Sequence, residues 1–93
     1  MVVSKNNDSN NHRGNLDIIA DILDASHGGV KKTFLMYRCN LSFKQLKNYS
    51  LFLLGNGLLH TVAEEESVNR LFQLTPKGKE FLRAYRGLKA LME

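Results

Sequence analysis

Apolar positions follow two different periods along the 93-residue chain. Over 15–54 they recur every three or four residues, the helical period, and the same period returns from 76 onward. Between these stretches they crowd into two short runs suited to a pleated, half-buried surface. Leu16, Ile19, Ile22 and Leu23, widened by Ile18, predict a first helix over 15–27. Asn15 is its expected N-cap, Asp17 complements the dipole in its first turn, and Gly28-Gly29 stops it, with His27 helping to close the last turn. Residues 31–38 (KKTFLMYR) read as a short second helix with Phe34, Leu35 and Tyr37 as its apolar residues and Met36 as filler. After the turn Cys39-Asn40-Leu41 comes a capping box, Ser42 with Gln45 three residues on, which opens a third helix running to about Leu54. Its buried side is expected at Phe43, Leu46, Tyr49, Phe52 and Leu53, and Gly55-Asn56-Gly57 ends it.

Residues 58–63 (LLHTVA) and 68–74 (VNRLFQL) predict a hairpin turning through Glu64–Ser67, with His60 on its outer face and Val30 as a very short extra edge. Thr75 followed by Pro76 is a sharp helix start, and the last helix runs towards Met92. Gly78 and Gly87 are expected to weaken it by up to about 1 kcal/mol each. Phe81, Tyr85, Leu88 and Met92 step along it by four, three and four, a heptad seam broadened by Leu82 and Leu91.

The order is helix, helix, helix, strand, strand, helix. This is an α+β fold, mostly α: a winged helix-turn-helix of three helices and a β-hairpin wing, with one more helix behind it. The expected organisation is a disordered polar tail at 1–13 (MVVSKNNDSNNHR), the winged domain at 14–74 and a C-terminal helix at 75–93. The length suits one domain with a small core, which a partner chain would help to complete.

Charge changes the picture by where it sits. The net charge is +4, and residues 30–57 hold Lys31, Lys32, Arg38, Lys44 and Lys47 with no acid. Asp17, Asp21 and Asp24 share one face of the first helix, which is expected to be solvated and turned away from a polyanion. The basic middle segment falls on the second and third helices, so duplex DNA is the expected partner. In a helix-turn-helix the second helix of the motif enters the major groove. Here that helix offers Ser42, Lys44, Gln45, Lys47 and Asn48. The lysines suit phosphates or guanine edges, and the two amides match adenine. Ser42 and the amides at the helix start can hold a phosphate, even as Ser42 and Gln45 cap the helix. Lys31, Lys32 and Thr33 would anchor the DNA backbone, and Arg70 would either reach a groove from the wing or pair with the glutamates beside it. Tyr37 and Tyr49 are read as core or core-edge aromatics, and Cys39 as a small apolar filler.

Other chemistry is thinly represented. One cysteine and three scattered histidines (His12, His27 and His60) make no metal site, and no cofactor is expected. No nucleophile–base–orienter set or phosphate loop can be assembled, so the chain is not expected to be an enzyme. No apolar run is long enough to span a membrane or to make a signal peptide, and a cytoplasmic, nucleoid-associated location is expected rather than secretion.

The residues also resemble a known family. LDIIADIL at 16–23, Gly29 with Lys31-Lys32-Thr33, Met36-Tyr37, Asn40-Leu41-Ser42 and Leu46-Lys47-Asn48-Tyr49 carry the likeness. It continues through Leu53-Leu54, Asn56-Gly57-Leu58-Leu59, Leu74-Thr75 and Lys77–Leu82. Together these make the chain similar to the archaeal winged-helix family typified by the small, basic DNA-binding proteins of Sulfolobus. The resemblance covers residues 14–92, all but the tail. It implies a homodimer joined by an antiparallel coiled coil of the C-terminal helices, with Phe81, Leu82, Tyr85, Leu88, Leu91 and Met92 at the seam. It also implies double-stranded DNA as ligand and a role as a transcriptional regulator or chromatin-type protein of archaeal or archaeal-virus kind. The other candidate for the seam is the chain's own first helix, and a helix of about 17 residues, some 25 Å long, can serve both. The chain departs from the family in its longer Asn-rich tail, in lacking the Lys/Glu enrichment of hyperthermophile proteins, and in Glu64-Glu65-Glu66 at the wing tip, which would repel phosphates. Those glutamates support an alternative, a winged-helix adaptor that docks a protein partner without binding DNA.

Overall fold

A computed structural model of the chain describes residues 14–63 and 70–93. The expectations for the tail at 1–13, for Val68 and Asn69 and for the wing-tip glutamates lie outside the described residues. Six elements follow in order: α1 (Asn15–Ala25), α2 (Lys32–Arg38), α3 (Phe43–Gly55), β1 (Leu59–Ala63), β2 (Arg70–Leu74) and α4 (Pro76–Leu91). The fold is the winged helix-turn-helix that the element order predicts.

The ends of the elements follow local chemistry. Ser42 Oγ accepts the Gln45 N–H at 3.1 Å while Gln45 Oε1 accepts the Ser42 N–H at 2.9 Å, closing the capping box of α3. Thr75 Oγ1 accepts the Gly78 N–H at 2.9 Å, with Pro76 in the first helical turn. At α1 the N-cap is Gly14 rather than Asn15, and the Asp17 carboxylate accepts the Gly14 N–H at 3.2 Å. This helix also stops two residues earlier than expected, with Ser26 as its C-cap: the Ser26 N–H donates to the Leu23 carbonyl at 3.1 Å, and the Ser26 carbonyl is taken by the Leu74 N–H at 2.9 Å. Asn40 takes a left-handed φ of 56° in the turn between α2 and α3, a conformation asparagine tolerates better than most residues.

The hairpin is antiparallel, pairing Leu59 with Leu74, Thr61 with Phe72 and Ala63 with Arg70. Val30 bridges Phe72 as the expected extra edge, with both backbone bonds at 2.8 Å. One core joins every element, built on Ile19, Ile22 and Leu23 of α1, Leu35 of α2, Leu46 and Leu53 of α3, and Leu59, Phe72 and Leu82. Cys39 is buried in it as the filler the sequence suggests.

Several apolar residues are not where the sequence pattern puts them. Phe43 and Phe52 are each 53% exposed and Tyr49 is only half-buried. A spacing of three precesses by about 60° per step around an α-helix, so 43, 46, 49 and 52 cannot share a face. The side that packs is Leu46, Ser50 and Leu53, spaced four and three. Tyr37 is 91% exposed and Phe34 is exposed as well, because a seven-residue helix turns only Leu35 fully into the core. Leu16 is also exposed, one turn beyond the part of α1 that packs.

Candidate nucleic-acid interface

The positions opposite Leu46, Ser50 and Leu53 on α3 are Lys44, Lys47, Asn48 and Leu51, and all four are exposed. The sequence therefore folds α3 with an aliphatic side inward and a basic, amide-bearing side outward. Gln45 is exposed too, but its Oε1 is committed to the cap. Ser42 is likewise bound into the cap, and lies at the helix start where backbone amides point outward.

The first turn of α2 brings Lys31, Lys32 and Thr33 to the same side as α3, where they line a cleft with Phe43 and Lys47. Lys32 Nζ sits 4.9 Å from the centroid of the Phe43 ring, a cation–π contact that tethers α2 to α3. Arg70 reaches this cleft from the hairpin, its Nε and Nη2 donating to Thr61 Oγ1 at 3.2 and 3.1 Å. Nearly all the basic candidates are thus gathered by three elements on one side, while Gln45 and Asn48 border a second groove, shared with Asn15, Ile19, Tyr49 and Phe52 of α1 and α3. Across that groove the Tyr49 hydroxyl donates to Asn15 Oδ1 at 2.8 Å.

The carboxylates of α1 are not simply solvated. Asp24 pairs with Arg86 at 2.7 Å, Asp17 lies 3.6 Å from Lys89 Nζ, and the Tyr85 hydroxyl donates to the Asp17 carboxylate in a very short contact. Asp17 and Asp24 face α4 and pair with its Lys89 and Arg86. The hydrogen bond from Tyr85, with smaller help from the Gly14 N–H and Lys89, holds Asp17 below the usual carboxylate range against the opposing effect of burial. The same bond, with burial and the nearby Asp21 charge, pushes the Tyr85 phenol up to about 12. The sequence named α1 as one candidate to pack against the last helix, but its acids were expected to be solvated, not paired with Arg86, Lys89 and Tyr85 of α4. The signal for that pairing was present in the acid face of α1 and the bases of α4, but no local pattern says which faces meet.

Along α4 the expected seam divides. Leu82 is buried within the chain's own core, and Phe81 and Tyr85 are half-buried against it. Leu88, Leu91 and Met92 remain 51%, 85% and 70% exposed. One side of the helix is therefore taken up by its own chain as far as Lys89, and its end carries an uncovered apolar edge at Leu88, Leu91 and Met92. Among the described residues no group of three or more His, Cys, Asp or Glu is placed to hold a metal ion. No described helix is long and apolar enough to cross a membrane.

A winged helix-turn-helix family model matches residues 12–93. The chain belongs to the winged helix-turn-helix family. Among solved structures it is similar to Sso10a-2, a DNA-binding protein from Sulfolobus solfataricus, with a TM-score of 0.76 at 21% identity over 86% of this chain and 82% of that one. No curated protein sequence matches it. Against the winged-helix frame, α2 and α3 are the helix-turn-helix, β1 and β2 the wing, and α4 the helix that follows the wing.

Proposed function

We propose that this winged-helix chain binds double-stranded DNA, with α3 in the major groove and the first turn of α2 on the backbone. The observation that carries the reading is the exposed, acid-free surface of α3 and α2: Lys44, Lys47 and Asn48 on α3 with Lys31 and Lys32 at the start of α2, while Asp17 and Asp24 of α1 are paired with α4. The winged-helix family and the DNA-binding Sso10a-2 support it. Lys31, Lys32, Lys44 and Lys47 neutralise phosphates, Asn48 has the donor and acceptor that match an adenine edge, and Gln45 is left to the cap. Arg70 contacts the backbone from the wing side.

The chain acts as a homodimer whose two heads are joined through the end of α4, where Leu88, Leu91 and Met92 are uncovered. Burying three such side chains in water-excluded contact contributes about 1.5–3 kcal/mol each at most. In this reading the protein is a nucleoid-associated transcriptional regulator or chromatin-type protein, of archaeal or archaeal-virus kind, rather than an enzyme.

The test is fluorescence anisotropy on a random duplex across a salt series, comparing the protein with Lys44→Ala/Lys47→Ala. Removing two phosphate contacts lowers the log–log salt slope by about 0.9 each and weakens binding at every salt concentration. Unchanged affinity and slope in the double variant would sink the assignment of α3, and no binding at low salt would turn the reading to a protein-docking adaptor.

A further inference from the structure

The cleft between the first turn of α2, the flank of α3 and the inner face of the hairpin has a volume of about 800 Å³. This is within the range of small-molecule sites. Among the described residues its charged lining is basic: Lys31, Lys32, Lys47 and Arg70. Its floor is apolar, with Phe43, Leu51 and Leu54. A phosphate backbone needs the cations but has no use for that floor. Leu51 is 60% exposed and Phe43 53% exposed within this ring of cations. Exposed large apolar side chains grouped in a concavity mark a binding surface more often than chance exposure does.

The occupant's chemistry follows from both halves. The cations call for an anionic head. The floor calls for a flexible apolar body more than for a stacked base, because Leu51 and Leu54 are aliphatic and the Phe43 ring has a lysine over it at 4.9 Å. Arg70, steadied by its two bonds to Thr61, lines the cleft from the hairpin, and Lys47 lines it from α3.

We propose that this cleft binds a small anionic amphiphile, a single carboxylate on an alkyl chain, in competition with DNA. The competition rests on the DNA-binding reading above, since Lys31, Lys32 and Lys47 serve both ligands; the binding of the amphiphile does not. Occupation would make the chain an anion-responsive DNA binder with no conformational change needed.

Decanoate below its micelle concentration is the probe, titrated into isotope-labelled full-length protein and followed by amide NMR, with decanol and inorganic phosphate in parallel. Saturable shifts confined to 31–33, 47–54 and 70–72 are expected for decanoate, with far weaker responses to the other two. Leu51→Ser, at an exposed position, weakens decanoate about tenfold, the loss of roughly one partly buried leucine. Arg70→Gln weakens it as well. Shifts centred elsewhere, or an equal response to decanol or to phosphate, would each overturn the site. In the DNA arm, decanoate at ten times its own Kd raises the apparent Kd for duplex about elevenfold. Full cleft occupancy with unchanged duplex affinity overturns the competition. Absence of any duplex binding falls on the DNA reading instead, and the NMR arm still decides the cleft.

Discussion

Gly78 and Gly87 both sit inside α4, yet the structure gives replacement by alanine opposite signs at the two positions. A Cβ at Gly78 would run into the Leu58 carbonyl oxygen and the Leu74 side chain, whereas one at Gly87 meets nothing within 4 Å. The obstacle at Gly78 is backbone, and that carbonyl already accepts the Thr75 N–H at 3.2 Å. Relieving the clash would pull the start of α4 away from the α3–β1 junction. There, Thr75 Oγ1 also donates to the Gly57 carbonyl at 2.6 Å and Lys77 Nζ to the Asn56 carbonyl at 2.8 Å. Overpacking costs about 1–3 kcal/mol, and weakening one buried backbone bond adds about 1 kcal/mol. The propensity gain of alanine over glycine returns at most about 1 kcal/mol. Gly78→Ala is therefore expected to lose about 1–3 kcal/mol, and Gly87→Ala to gain up to about 1 kcal/mol. For a domain of this size each kcal/mol moves Tm by about 4–8 °C. Thermal unfolding at one fixed protein concentration would show the two variants on opposite sides of the parent. A Gly78→Ala protein at or above the parent's Tm would refute the close approach of α4 to Leu58.

Other consequences are open to direct measurement. Tyr85 should ionise near pH 12 in a 295-nm titration, and Tyr85→Phe should remove that step. The neutral Tyr85 phenol is favoured by folding, so its contribution is whole below the ordinary tyrosine value of 10.0 and is lost as pH rises through about 12. The Asp17 carboxylate is favoured in its charged form, so its contribution is whole above 3.8 and is lost as pH falls through its lowered value. Denaturation curves of Tyr85→Phe that keep the parent's dependence in both windows would count against the link. Ser42→Ala removes one half of the capping box of α3 and should cost about 1 kcal/mol in urea unfolding; a neutral result would mean the cap is not formed in solution. The proposed dimer should be seen in sedimentation of the parent and be lost in Leu88→Glu with Leu91→Glu, with the circular dichroism of the head unchanged; a monomeric parent would refute the dimer, and an unaltered dimer in the variant would place the contact elsewhere.

Local chemistry made much of this protein legible before any fold was known. The capping box at Ser42, the Thr75-Pro76 start, the Asn40 turn and the β-rich runs act over a few residues, so their residue types suffice to locate α3, α4, the turn and the hairpin. The acid-free stretch from 30 to 57 was visible in the same way, as a property of consecutive residues. Which face of each element is buried was harder to read. Leu46 and Leu53 were anticipated, whereas Phe43 and Phe52 were assigned inward and Tyr37 to the core or its edge, and all three stand outward. Hydrophobicity says that a side chain gains by burial, but a small core has room only for the side of each helix that its neighbours meet. That leftover exposure shapes the cleft beside Lys47 and Arg70. Gly78 looked like a weak point in α4 by propensity, and becomes a requirement only because Leu58, twenty residues away in sequence, passes against it. The α1 carboxylates looked like a solvated face until α4 was laid across them. Secondary structure and charge distribution are set by near neighbours along the chain, so sequence determined them; facing, close approach and ion pairing depend on distant segments meeting, and only the tertiary structure decided those.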